Sequence, residues 1–297
     1  MVASLRVKID ISLLGDLLNY IQNTQVDALE RVIEHPAAIK TFNHAIRFGN
    51  TSENIRYFWR GLLDFSRDHR LETVQAVGCC LDHIRSHRDM YEALFDELQN
   101  YLPDDCNLDA VLYGIIGYDV GIVSDGSAIL NLAHPWFQED TRELPFMAMH
   151  ELHHVGFTHY NPLFKMEDLG MTSDLRRIIR YATHLEGLAV YAPLEKRVEY
   201  TVLNNLDYPV LLDARLRDRR VREFFSVVEK LDEQEDRPLA ASDMEILEDM
   251  SGHERRLWYI AGAHMAMKID EDLGRRALVQ TIVDGPDSFF DAYRSLV

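Results

Sequence analysis

The stretch "FMAMHELHHVGFTHY", Phe146–Tyr160, places four histidines and one glutamate within residues 150–159, among methionine, valine and phenylalanine. Ionisable groups inside an apolar run destabilise a fold unless something pairs with them, and a bound metal ion is one such partner. On a helix, His150 and His154 project from one face about one turn apart. Two neutral imidazoles so placed can share a zinc ion at about 2.0–2.1 Å. Glu151 follows the first of them and stands beside such a site without having to coordinate. A carboxylate there can take a proton from an activated water and return it to a leaving amine. This is the His-Glu-x-x-His arrangement; the competing reading is a histidine-rich, solvated helix face. Phe146, His150, His153 and Phe157 trace the neighbouring inward stripe, and His153 reads as a neighbour of the ligands, not as one of them.

A catalytic zinc takes three protein ligands and keeps one position open. His159 is the local candidate for the third. The spacing His-Glu-x-x-His-x-x-Gly-x-x-His needs glycine at 157 and histidine at 160, where this chain has Phe157 and Tyr160. A shift of one residue turns a side chain by about 100° around a helix, so His159 points elsewhere. The distant candidate is Glu186, within "TSDLRRIIRYATHLEGLAVYAPLEK". Thr172 or Ser173 offers an N-cap for a helix there, and Pro193 opposes its continuation. Its apolar stripe runs through Leu175, Ile178, Ile179, Ala182, Ala189 and Val190, and Glu186 falls inside it, where an unpaired carboxylate is costly. Gly187 and Ala189 allow another element to approach closely. The competing reading pairs Glu186 with an arginine such as Arg180. His184 lies off the stripe and reads as an ordinary polar residue.

Attack on an amide puts negative charge on the carbonyl oxygen, which a hydrogen-bond donor stabilises. The segment "SGHERRLWYIAGAHMAMKID" reads as a helix opened by a capping box of Ser251 and Glu254. Tyr259, Gly262, Ala263 and Ala266 share one face of mostly small residues. Tyr259 is therefore the candidate donor, against the reading of a core tyrosine satisfied elsewhere; His253 and His264 are secondary candidates.

On "HELHH" and "HLEGLAVY", with 31 residues between His154 and Glu186, the chain resembles the gluzincins, zinc metallopeptidases with His-Glu-x-x-His on one helix and a ligand glutamate on a later one. More narrowly it is similar to families of zinc-dependent peptidases with a downstream "EGLA" segment. "GIVSDGSAILNL" and "WYIAGAHMAMKI" fit the same resemblance, which covers roughly residues 110–270. It implies zinc held by His150, His154 and Glu186, and peptide-bond hydrolysis through a zinc-activated water with Glu151 as general base. It also implies an antiparallel edge strand along which a peptide or protein substrate aligns through main-chain hydrogen bonds.

The elements that must hold these residues follow from periodicity. Residues up to about 105 read as helical hairpins, with apolar side chains three and four apart and Pro36 as punctuation. "LDAVLYGIIGYDVGIVSDGSAILNLAH" reads as two or three short strands in an antiparallel ribbon, with a turn at "SDG". Helix returns from about 143, with Pro145 near its start and Gly156 as a candidate cap. The expected class is mainly α, α+β: a helical N-terminal region 1–107, a small antiparallel ribbon, and zincin-like active-site helices within 108–297, or one compact domain overall. The acidic run "KLDEQEDRPLAASDMEILEDM" reads as a solvated connection or helix face.

The bulk composition narrows the partners. With 297 residues, 47% of them hydrophobic, the chain can bury a substantial core. A formal charge of −18 disfavours nucleic acid and anionic membrane surfaces. No stretch approaches the roughly 20 apolar residues that span a bilayer. Cys79, Cys80 and Cys106 make no disulfide framework and no Cys-x-x-Cys spacing, which suits a reducing, cytoplasmic setting. Two other functions are compatible with the residues. A carboxylate-bridged di-iron protein needs a second Glu-x-x-His beside Glu151–His154, which is not found. A non-enzymatic helical interaction protein with a structural or vestigial metal site would have no use for the uncoordinated Glu151.

Overall fold

The computed structural model describes residues 3–23, 26–49, 52–64, 67–164, 169–252 and 254–297. The chain divides into two compact units, one of Ser4–Glu97 with Asn107–Val155, the other of Leu98–Cys106 with Gly156–Val297 and the chain's start. The fold is mainly α with one small sheet, as the periodicity predicts.

The first unit holds the sheet. Strands β1 (Ser4–Asp10), β2 (Asn107–Ile115), β3 (Gly121–Ser124) and β4 (Ser127–Asn131) lie in the order β1-β2-β4-β3. β1 and β4 run parallel to β2, with Ile9 opposite Leu112 and Leu112 opposite Ala128. β3 and β4 form an antiparallel hairpin, with Ile122 opposite Ile129. Asp125 and Gly126 close it with φ of 46° and 68°, the mirror-image turn whose twist matches that of the flanking strands. The ribbon expected from the sequence is therefore the edge of a mixed sheet, and β1 lies in a segment read as helical. Leu5, Val7 and Ile9 do alternate with polar residues, but the run has only seven residues, and its partner begins 103 positions later. A pairing so distant leaves no local signal.

Helices α1 (Leu13–Asn23), α2 (Val26–Glu34), α3 (Pro36–Arg47), α4 (Ile55–Leu62), α5 (Arg67–Ser86), α6 (Arg88–Leu98), α7 (Pro135–Glu139) and α8 (Glu143–Tyr160) accompany the strands. Pro36 divides α2 from α3, and the His35 ring accepts the Ala37 amide at 3.2 Å as the new N-cap. Leu13, Leu17, Trp59, Val77, Phe137 and Phe146 are buried, and the Trp59 indole donates to the Ala38 carbonyl at 3.2 Å. The division between the units falls inside α8, after Val155.

The second unit is helical: α9 (Thr172–Tyr191), α10 (Leu194–Tyr200), α11 (Asp207–Leu212), α12 (Ala214–Asp232), α13 (Ala241–Ser251), α14 (Leu257–Leu273), α15 (Arg275–Asp284) and α16 (Pro286–Arg294). Leu175, Ile179, Phe224, Met265, Ile269 and Phe289 form its core. α9 and α14 touch backbone to backbone, since a Cβ on Gly187 would lie 2.4 Å from the Gly262 Cα. Only glycine at both positions permits that approach.

Three expected caps differ. α8 continues through Gly156, which is there because a Cβ would meet Leu102 at 2.4 Å, not because a helix ends. α9 is capped one residue early, with the Asp174 carboxylate accepting the Met171 amide at 2.9 Å. Ser251 closes α13 by donating to the Leu247 carbonyl at 2.8 Å, so the box with Glu254 does not form, and α14 starts at Leu257. The three cysteines are free thiols, Cys79 exposed and the others buried. Among the described residues no helix is long and apolar enough to cross a membrane.

Candidate metal centre

α8 is apolar on most sides, and Phe146, Met149, Leu152, His153 and Phe157 are all fully buried. His150 and His154 occupy one face of it, their rings edge-on with centroids 4.6 Å apart. His154 is buried and His150 half-buried. With Glu186 of α9 they form a group whose ligand atoms all lie within 4.8 Å of one another. Among the described residues it is the group of histidine, cysteine and acidic side chains able to hold a metal ion. Two imidazoles and one carboxylate are a donor set that suits zinc and that catalytic zinc sites use, and a third protein ligand leaves the fourth tetrahedral position for another oxygen. The residues therefore fit the ion.

Glu151 is buried and stands outside the group. Its carboxylate lies against the first residue of β3: a Cβ on Gly121 would come 2.5 Å from its Oε1 and 2.8 Å from its Cδ. A single glycine within a strand pattern signals such a close approach, but nothing local says to what. β3 is one of the two edge strands of the sheet. A two-residue hairpin pairs Ser124 with Ser127 and then alternates, and the Asn131 amide bonds to the Val120 carbonyl at 3.1 Å. The backbone groups of Gly121 and Val123 are thus those directed away from β4. The start of β3 is held by Asn131, whose Oδ1 accepts the Gly117 amide at 2.9 Å and whose Nδ2 donates to the Tyr118 carbonyl at 3.3 Å.

Tyr259 lies on α14, one turn before Gly262. Burial, then the nearby Glu186 charge, pushes its phenol upward, so it is protonated across the physiological range. Arg256 and Asp207 were not legible as neighbours: they are 49 positions apart, yet their side chains pair through two hydrogen bonds, one of 2.8 Å. The Arg256 guanidinium sits 3.8 Å over the Tyr259 ring.

The remaining candidates fall elsewhere. His153 is fully buried and outside the group. His159 is exposed, its ring 5.0 Å from that of Tyr160. His184 is a core residue, stacked on Phe289 at 4.5 Å with Nε2 2.9 Å from the Thr281 hydroxyl. Burial lowers the His264 imidazole to about 4, and its ring faces Tyr293. Arg180 pairs with Asp232 at 2.8 Å. His253 lies outside the described residues.

Fold and site together give a mainly α protein carrying a two-histidine, one-carboxylate group able to hold a metal ion. The profile of the family described as "Putative zinc dependent peptidase (DUF5700)" matches residues 29–297, and the chain belongs to that family. No curated protein and no solved structure matches the chain.

Proposed function

We propose that the protein is a zinc metallopeptidase of gluzincin type, with His150, His154 and Glu186 as metal ligands and Glu151 as general base. The observation that carries this reading is the convergence of the three donor atoms beside a buried carboxylate that is not one of them. A structural metal site has no need of Glu151, and a hydrolase does.

When bound, zinc supplies a Lewis acid that polarises the scissile carbonyl and lowers the pKa of water. The peptide adds to the edge of β3 as a further strand, held by the outward amides and carbonyls of Gly121 and Val123. Glu151 takes one proton of the attacking water as its oxygen bonds to the carbonyl carbon. It then delivers that proton to the amide nitrogen as the carbon–nitrogen bond breaks. Tyr259 donates to the carbonyl oxygen as charge grows on it. The exclusion of nucleic acid and membrane surfaces rests on the charge of −18 and belongs to the same reading.

The test is a quenched-fluorescent peptide library incubated with the purified protein. Cleavage is expected, with its loss on adding 1,10-phenanthroline and its return on adding zinc. A protein that binds zinc stoichiometrically and cleaves no peptide would put the non-enzymatic reading first.

Gly121→Ala gives a sharper check on Glu151. The new methyl group would overlap the carboxylate, whose flexible end can swing away, so the fold survives while the base is displaced. A displacement near 1 Å costs about 100-fold in rate. The expected result is a kcat lower by about that factor, with zinc content and melting temperature little changed. Activity within about threefold of the parent would mean that Gly121 does not hold Glu151 in place.

A further inference from the structure

We propose that Arg256, clamped by Asp207, is a positioning residue that holds the Tyr259 ring for its part in catalysis. The inference rests on Tyr259 being the donor to the carbonyl oxygen.

Arg256 is the N-cap of α14 and is left-handed, with φ 48° and ψ 44°. A non-glycine residue is rarely held there unless its surroundings fix it, and such positions cluster at functional sites. This backbone turns its side chain onto the residue one turn later, so that the guanidinium carbon lies 3.8 Å above the Tyr259 ring. Nε and Nη2 both donate to the Asp207 carboxylate, a fork-to-fork pair that fixes the guanidinium plane as well as its place. Asp207 is almost wholly buried and is the first residue of α11.

α11 is itself fastened to α9. The Tyr208 hydroxyl donates to the Val190 carbonyl at 3.2 Å, and the buried Arg197 stacks over the Tyr208 ring at 4.3 Å. A chain of contacts thus runs from α9, four residues past Glu186, through Tyr208 and Asp207 to Arg256 and the face of Tyr259. Burial works against the Arg256 charge, but the Asp207 pair, with Tyr259 and Glu186 near, more than restores it. A cation kept over one face of an aromatic ring is attracted to it and restricts its swing. The half-buried ring also packs against the cluster of Val190, Tyr208, Leu211, Ile260 and Ala263, and the guanidinium covers one of its faces.

A buried ion pair that merely stabilised the unit would predict a different pattern from a ring clamp. Arg256→Lys keeps the charge but loses the planar fork and the stack. Asp207→Asn keeps the arginine and loosens its anchor. Each is expected to lower kcat on the peptide library by about 10–100-fold, with KM within about threefold. In a Tyr259→Phe background the same changes are expected to cost less than about twofold, since the ring no longer carries a donor. A readout independent of activity is the fluorine resonance of 3-fluorotyrosine placed at position 259 of the metal-free protein. It is expected to be a single sharp line that shifts or broadens with Arg256→Lys. If the losses add in the double variants and the fluorine line does not move, the clamp is overturned while the peptidase reading stands. If Tyr259→Phe keeps the full kcat, the role of Tyr259 falls first and this inference falls with it.

Discussion

Glu151→Gln is expected to leave zinc bound and to lower kcat by about 10²–10⁴-fold, the range that a positioned general acid–base contributes. The side chain is buried and pressed against Gly121, so the glutamine amide fits the same space. It can donate hydrogen bonds but cannot accept and return the proton that hydrolysis moves. His150 and His154 keep their places on α8, and metal content should stay near one zinc per chain. The checks are kcat on the peptide library and zinc by elemental analysis of the same sample. A glutamine variant within about tenfold of the parent would remove Glu151 from the mechanism and leave the metal site in search of another base.

The second large effect concerns the third ligand. Glu186→Ala is expected to weaken zinc binding by more than the roughly 10–100-fold that follows from losing only a hydrogen bond to a ligand, because a direct donor is gone. Activity falls with the metal. His159→Ala is the matched control: its ring is exposed and outside the metal group, so zinc affinity and kcat should match those of the parent. Chelator competition on the two variants decides between them. Retention of zinc after loss of Glu186, or its loss with His159→Ala, would overturn the ligand set.

These expectations differ in how far they were visible beforehand. His150, Glu151 and His154 were legible because one helix carries all three, and helical spacing alone puts the two imidazoles on one face. Glu186 was legible for a weaker reason: a carboxylate inside an apolar stripe must have a partner, although the stripe does not name it. Gly156 was misread because a glycine late in a helix looks the same whether it ends the helix or admits a neighbour, and only Leu102 tells them apart. The capping box at Ser251 failed for a similar reason, since α13 uses that serine at its own end.

Amino-acid order by itself determined the helical class, the β3–β4 hairpin with its Asp-Gly turn, and the one-turn geometry of the two histidines. All of these are set by contacts within a few residues, where periodicity and turn chemistry act. Tertiary structure alone decided that Ser4–Asp10 is a strand, that Glu151 meets Gly121, and that Arg256 of α14 reaches Asp207 of α11. Each of those joins residues tens of positions apart, and such a pairing becomes favourable only once the intervening chain has packed. That cost of closure is collective, and no local run of side chains records it.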